Sequence, residues 1–347
     1  LNADTGLALC LDARAQLGTD LKLLVMSATL DGAAVAGLLA AATGLPAPVV
    51  TAAGRMFPVE VHWAGRGAPV LPGDPDASPE RLAAAAAQRA LRECEGDVLV
   101  FLPGVGEIRR TLAMLEAAPG ASTGSLLLPL YGELPPAEQD RALDPDPSGP
   151  RRVILATNVA ETSLTLPRVR AVVDSGLVRR AIFDPVTGMS RLETRRISRA
   201  AAEQRAGRAG RVGPGACYRL WSEGAHRSLA AHTPPEIVEA DLAPLALELA
   251  EWGAREADAL PWLDAPPPAM LAGARDLLQR LGALDGGQRI TGHGRRLARL
   301  PAHPRLAHLL VEAHRRGERR LGAQLAAVLG ERDLLRGRPG EDRDADV

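Results

Sequence analysis

The chain has 347 residues, enough for about two or three domains, and a hydrophobic content of 46% that can supply cores. Its formal net charge is −1, so any affinity for nucleic acid must come from a local patch rather than from the overall charge. The sequence has no run of about 18 apolar residues, and therefore no predicted membrane span. Three widely separated cysteines favour buried thiols in a reducing, cytoplasmic compartment over disulfides or zinc ligands: Cys10, Cys94 and Cys217.

Residues 1–54 predict the closing part of a domain, because the sequence lacks an initial methionine and opens within a helical pattern. The apolar run 21–26 predicts a buried parallel strand. A polar group that includes Ser27 and Thr29 follows this strand directly. A helix and a short strand are expected after that group, at 31–42 and 49–50.

The central block, 55–225, alternates strand and helix patterns at a spacing typical of a parallel α/β sheet. The predicted strands are an alternating segment, 58–63, and four mainly apolar segments: 97–102, 126–130, 152–156 and 169–173. Helical patterns separate most of them: 79–94, 105–117 and 136–143. Because ligands on such sheets bind at the carboxyl ends of the strands, the turns that follow the strands are candidate binding sites. Two such turns are Pro103-Gly104 and Thr157-Asn158.

Beyond the central block the pattern becomes mainly helical. Apolar residues at helical spacing mark two helices, and 284–290 predict a small hairpin. Helix, helix and hairpin fit a winged-helix-like domain over 226–300. Two further helical patterns predict the start of a helical accessory domain over 301–347.

The most specific pattern is the run 204–211, Gln-Arg-Ala-Gly-Arg-Ala-Gly-Arg. Its three arginines are spaced by three, and guanidinium groups match phosphate oxygens bidentately without losing their charge. The small residues between them let backbone and phosphate approach closely. The run therefore predicts residues that bind the terminal phosphates of a nucleotide held on a neighbouring surface. A solvated basic face is the alternative, and the neighbouring sequence favours the phosphate interpretation.

Two features near this run favour a polyanionic ligand. The segment 157–163 carries hydroxyls and an amide that suit a sugar–phosphate backbone better than base edges, although helix capping would use the same residue types. Between Arg179 and Arg211, nine arginines stand against three acids, which is an electrostatic footprint for polyanions.

The stretch 183–188 predicts the turn of a protruding hairpin. Aromatic residues make up only 3% of the sequence, so base stacking is not expected to dominate.

Five segments follow one another along the chain: 27–29, 101–104, 130–134, 157–165 and 204–211. In this order they resemble the later motifs of DEAH-box superfamily 2 ATP-dependent RNA helicases, and within these the bacterial HrpB-like subgroup. The resemblance spans nearly the whole chain. It implies an α/β fold with two RecA-like domains and ATP in the cleft between them. This chain would contain the C-terminal end of the first domain, over 1–54, and a complete second domain, over 55–225.

The resemblance also implies roles for individual residues. Arg208 and Arg211 would be finger arginines that stabilise charge on the γ-phosphoryl group, and Gln204 would orient the attacking water or contact the γ-phosphate. The residues that contact the nucleotide or couple its state to domain closure would be Ser27, Thr29, Arg205 and Gly207. Those that hold the backbone of single-stranded RNA would be Gly104, Thr157, Asn158 and Thr162. The implied cofactors are ATP and Mg²⁺, with the metal ligands mostly outside this chain.

The sequence departs from the family pattern in ways that concern the nucleotide. Pro167 stands where many members carry an acidic residue, and Leu143 where they carry an aromatic one. No G-x-x-x-x-G-K-[ST] loop and no Asp-Glu-x-His occur, so we expect a piece of a longer helicase that does not hydrolyse ATP by itself. Two alternatives stay open. One is a catalytically inactive RecA-like module that binds nucleic acid or protein, and the other is a DNA helicase, because backbone contacts distinguish the sugars only where the 2′-OH is read.

Overall fold

The computed structural model describes residues 1–27, 31–51, 57–72, 78–118, 124–143, 148–162, 164, 166–254, 256 and 259–330. Two helices come first: α1 (Asn2–Leu17) and α2 (Gly32–Thr43). The central elements are β1 (Val59–Trp63), α3 (Pro79–Glu93), β2 (Asp97–Phe101), α4 (Val105–Ala117), β3 (Leu126–Leu130), α5 (Pro136–Leu143), β4 (Arg152–Ala156), α6 (Val159–Thr162), β5 (Val169–Asp174), β6 (Leu177–Asp184), β7 (Met189–Arg196), α7 (Arg199–Gly207) and β8 (Gly215–Arg219). The remaining helices are α8 (Glu223–Arg227), α9 (Ala243–Trp252), α10 (Pro268–Arg280), α11 (Gly292–Ala298), α12 (Pro304–Arg315) and α13 (Arg319–Gly330).

Six strands form one sheet in the order β1-β8-β5-β2-β4-β3, and every neighbouring pair is parallel. The central strands β2 and β4 are buried along their whole length, which explains why they appear in the sequence as continuous apolar runs. The predicted parallel α/β sheet is therefore confirmed.

Helices cover both faces of this sheet. Because side chains alternate along a strand, Val98 and Val100 of β2 pack on one face, against α3 and α4. Leu99 and Phe101 pack on the other face, where α5, α6 and the end of α7 contribute alanines. Ser78 begins α3 by accepting a hydrogen bond from a first-turn amide, as expected for a helix cap.

The strands β6 and β7 form an antiparallel hairpin outside the main sheet, directly after the carboxyl end of β5. Its turn covers 185–188, which confirms the hairpin expected at 183–188. The backbone N–H of Phe183 donates to the carbonyl of Glu239 at 2.8 Å, so the hairpin is tied to the segment that precedes α9.

A second core joins α1 to the helices α9 to α12. Ala8 of α1 is fully buried in it, and both Asp4 carboxylate oxygens accept backbone N–H groups, from Leu263 and Asp264, at 2.9 Å. Leu284 and Ile290 form a single antiparallel bridge, which agrees with the small hairpin expected there. The boundaries of the winged-helix-like and accessory domains stay predictions.

The strand predicted at 21–26 is wrong. This segment forms neither helix nor strand, and the side chains of Leu24 and Met26 are 79% and 80% exposed. A strand is stabilised by hydrogen bonds to a neighbour, and none of the strands in the described ranges pairs with this segment. The predicted burial of Cys10 is also wrong, since its side chain is exposed. Within the described residues, no helix combines the length and apolar character needed to cross a lipid bilayer.

Candidate nucleotide and nucleic-acid site

Three of the predicted site residues lie at the carboxyl edge of the parallel sheet, whereas the end of the arginine run lies at the opposite edge, beside the residues that precede β1. Gly104 follows β2, and Thr157 and Asn158 follow β4. The helix α7, which carries Gln204, packs against α6, and the 3₁₀ turn Arg208–Gly210 that continues it packs against β5 and β8. The fold therefore brings the arginine run next to the polar segment after β4, since Arg208 bonds to Glu161, 47 residues earlier in the sequence.

Arg205 is buried and joins three elements. Its guanidinium donates to the carboxylates of Asp174, at 2.9 Å, and Glu161, at 3.1 Å, and to the carbonyl of Leu177 at 3.1 Å. Its Cζ atom also lies 4.8 Å from the centroid of the Phe101 ring, a cation–π contact. Burial alone would lower the pKa of Arg205, but the two carboxylates outweigh it and hold the pKa above its ordinary value. Arg205 thus fixes α7 to α6 and to the end of β5.

The guanidinium of Arg208 lies on the segment predicted to hold nucleic acid. It donates to the carbonyl of Glu161 through Nε, at 2.9 Å, and through Nη2, and to the carbonyl of Leu164 through Nη1 at 2.5 Å. Burial and the neighbouring charge of Arg211 lower the pKa of Arg208 to about 10, against the opposing effect of Glu161. The group therefore stays protonated at neutral pH, and it connects α7 to the backbone after α6.

Arg211 differs from the other two arginines of the run because it is exposed, directly after the 3₁₀ turn. Within the described part of the chain its guanidinium forms no ion pair or hydrogen bond, so its N–H groups can donate to an external anion. Gln204 and Gly207 are half-buried. Gln204 lies in the last turn of α7, four residues before Arg208, and Arg211 follows the 3₁₀ turn.

Gly210 allows the 3₁₀ turn Arg208–Gly210 to pack closely against the start of β1. A Cβ atom at this position would lie 2.5 Å from the carbonyl oxygen of Phe57, a backbone atom that cannot rotate away. We expect Gly210→Ala to lower the free energy of unfolding by about 1–3 kcal/mol, measured by urea denaturation. Gly224→Ala is the control, because its Cβ would meet only Ser222 Oγ, at 4.0 Å. Equal stability of the two variants would contradict the close packing of the turn.

The polar segment after β4 presents Thr157 and Asn158 at the surface. The N–H of Thr157 donates to the carbonyl of Leu130 at 3.2 Å, so this residue continues the sheet and its side chain is half-buried. The side chain of Asn158 is exposed. Thr162 lies in α6, but its side chain falls outside the described part of the structure, as does the whole of Thr29. Ser27 is exposed in the extended segment before α2.

Gly104 precedes α4 and lies under an arginine of the hairpin. A Cβ atom at Gly104 would lie 2.7 Å from Nη1 of Arg179, so the absence of a side chain allows this guanidinium to rest on the backbone. Nη2 of Arg179 is 3.4 Å from a carboxylate oxygen of Glu107, which is 3% exposed and also pairs with Arg110 at 3.0 Å. A partly exposed cation therefore accompanies the predicted RNA contact at Gly104.

A cavity of about 230 Å³ lies at the base of the hairpin, and we call it the hairpin-root cavity. Its lining comes from α6, the two ends of the hairpin, the start of α7 and the chain before α9: Asn158, Glu161, Val178, Arg180, Arg196, Ile197, Ser198, Ala201, Ala230, His232, Thr233 and Pro234. The cavity therefore opens beside one of the residues predicted to hold the RNA backbone.

Sequence reasoning missed two residues that organise this site. Asp174 is fully buried at the end of β5 and anchors Arg205, and Arg179 reaches Gly104 from the hairpin. The signal for Asp174 was an acid directly after the apolar run 169–173, where a charge needs a partner. Among the described residues, no group of three His, Cys, Asp or Glu side chains could hold a metal ion.

Comparison with known proteins agrees with this geometry. Residues 82–213 match the helicase conserved C-terminal domain. The chain is 44% identical to the ATP-dependent RNA helicase HrpB of Escherichia coli, over 95% of this chain and 39% of that protein. The crystal structure of E. coli DEAH/RHA helicase HrpB superimposes with a TM-score of 0.86 and 43% identity, over 97% of this chain and 41% of that one. This chain belongs to the DEAH-box helicase family.

The family is broad. The pre-mRNA-splicing factor ATP-dependent RNA helicase prp22 of Schizosaccharomyces pombe is 39% identical over 84% of this chain and 24% of that protein. This DEAH-box chain spans about two fifths of the length of HrpB. The matched domain contains Gly104, the segment after β4 and the arginine run, whereas residues 27–29 precede it. The RecA-like fold expected from the sequence is confirmed.

Proposed function

We propose that this chain is part of an ATP-dependent RNA helicase, in which ATP hydrolysis between two RecA-like domains drives movement along single-stranded RNA. The observation that carries the proposal is the contact of Arg208 with the backbone of α6, at Glu161, and of the segment after it, at Leu164. A residue predicted to face the nucleotide is thereby bonded to the segment predicted to hold RNA, so a shift of one displaces the other. Coupling of this kind is what a translocating motor requires.

ATP and Mg²⁺ are the cofactors that we propose for the whole protein. Among the described residues Arg211 is an exposed guanidinium without a hydrogen-bond or ion-pair partner, and it fits the charge of a terminal phosphate, while the buried charge of Arg208 lies close by. Gln204, in the last turn of α7, would orient the water. The described residues offer no metal cluster, so we assign no Mg²⁺ ligand to this chain. A bound nucleotide would supply the phosphoryl group that is transferred to water.

RNA is the proposed polymer, because the similar proteins HrpB and prp22 are both named as RNA helicases. Gly104, Thr157, Asn158 and Thr162 would contact its backbone. Cytoplasmic localisation stays a prediction from the cysteines.

The test is an assay of the complete protein that contains this chain. We expect single-stranded RNA to stimulate ATP hydrolysis, and ATP to drive separation of an RNA duplex with single-stranded overhangs. A matched DNA duplex should be separated more slowly. Tight RNA binding without ATP turnover would support an inactive binding module instead, and faster separation of DNA would support a DNA helicase.

A further inference from the structure

The hairpin-root cavity has an uncompensated positive charge. Arg196, at the end of β7, is exposed, and within the described part of the chain its guanidinium makes no ion pair or hydrogen bond. The other arginine of the lining, Arg180, is different, because it pairs with Glu239 at 2.9 Å and donates to the carbonyl of Pro234 at 2.9 Å. Glu161 is likewise engaged, by Arg205. Arg196 is therefore the cation of this cavity that remains available to an anion.

The walls of the cavity are fixed before any ligand arrives. The first amides of α7, at Arg199 and Ala200, donate to the carbonyls of Ala230 and Ala231 at 2.8 and 3.1 Å. The Ser198 hydroxyl caps the helix and lies 3.0 Å from the Thr233 hydroxyl. These helix-terminal donors are already used, so they do not supply the anion contact, and that contact falls to Arg196.

The other residues that line the cavity could contact a ligand that carries apolar and polar groups as well as an anion. Val178, Ile197 and Pro234 provide apolar surface, while Asn158 and His232 add polar groups. The volume of about 230 Å³ is below the usual range for drug-sized ligands, roughly 300–1,000 Å³, so the cavity would take in part of one nucleotide unit rather than a larger ligand. Such a unit would place its phosphate on the guanidinium and its sugar or base against the apolar wall.

We propose that the hairpin-root cavity binds one nucleotide of the single strand held at Asn158, with its phosphate on Arg196. This inference rests on the proposed function, because it adds a contact to the same RNA path. The contact recognises the phosphate, so it is independent of sequence. It would also bring the base of the hairpin into direct contact with the RNA.

The test measures binding of single-stranded RNA to the complete protein by fluorescence anisotropy, over a series of KCl concentrations. Arg196→Gln should weaken binding roughly tenfold, for oligouridine and oligoadenosine alike, because one charge-assisted phosphate contact is lost. The slope of log K against log salt should become shallower by about 0.7, the value for one phosphate of a single strand. Unchanged affinity and slope in this variant would overturn the proposal.

Two matched variants separate the cavity from a general charge effect. Arg191→Gln removes a cation from the same strand, but this arginine is paired with Glu193 at 2.6 Å, so we expect a much smaller loss of affinity. Ala230→Leu narrows the cavity without removing charge, so it should weaken binding without changing the salt slope. Equal effects of the two glutamine variants, or full affinity in Ala230→Leu, would each overturn the proposal.

The unfolding temperature of every variant should match that of the wild type, which excludes loss of the fold as the cause. Failure of the proposed function is a distinct result, seen in the wild-type protein itself: it would not bind RNA, or it would bind RNA without hydrolysing ATP. Wild-type binding that is insensitive to Arg196→Gln refutes the cavity contact alone.

Discussion

Arg211→Ala in the complete protein should lower the kcat of RNA-stimulated ATP hydrolysis by about 10³-fold or more, the range found for arginine fingers. The reason is that Arg211 is exposed and has no partner among the described residues, so its charge can stabilise a phosphoryl group in transit. The affinity of the Arg211→Ala protein for single-stranded RNA should change little, since the predicted RNA contacts are made by other residues. Steady-state ATPase assays and anisotropy titrations on the same preparation measure the two effects.

The control for this prediction is Arg227→Ala. Arg227 is also exposed, but it pairs with Glu223 within α8, at 2.8 Å, and lies outside the arginine run. This variant should keep wild-type turnover. Arg211→Lys should recover little activity, because a lysine retains the charge but not the planar fork. Comparable turnover in Arg211→Ala and the wild type would refute the assignment of Arg211 as a finger.

Arg205→Ala should lower the free energy of unfolding by about 3–5 kcal/mol, the cost of removing one partner from a buried ion pair. Arg205 is 1% exposed, and its loss would leave the carboxylate of Asp174, itself fully buried, without its cation. Denaturation by urea, followed by circular dichroism, measures the change.

Asp174→Asn in the Arg205→Ala background should recover part of this stability, because it removes the orphaned charge. Arg227→Ala, which breaks an exposed pair, should cost less than about 1 kcal/mol. If Arg205→Ala costs no more than Arg227→Ala, Arg205 is not the connection between α6, α7 and β5 that the geometry indicates.

The parallel sheet could be predicted because its central strands carry their own signal. β2 and β4 are buried along their whole length, and β5 everywhere except at Arg170, so each contains a run of consecutive apolar residues. The location of Gly104, Thr157 and Asn158 at the carboxyl edge follows from strand direction alone, since parallel strands end at the same edge. That part of the candidate site required no knowledge of tertiary contacts.

Other features depend on long-range partners that local sequence does not reveal. The run 21–26 has the composition of a buried strand but pairs with none of the described strands. The strand β8 was missed because a short run around Tyr218 follows the basic motif closely, and only its pairing with β1 and β5 makes it a strand. The burial of Arg205 likewise depends on Asp174, 31 residues away. From the charge pattern alone, all three arginines of the run were predicted to contact the ligand, although Arg205 is buried against Asp174.

The packing of α1 has a consequence for the order of folding. Asp12 accepts a hydrogen bond from the indole of Trp252, 240 residues later, and Asp4 binds backbone at a separation of 259 residues. A contact so distant in sequence forms late, because the intervening chain must be ordered or looped out first. During synthesis, these partners of α1 therefore leave the ribosome only after the strands of the parallel sheet.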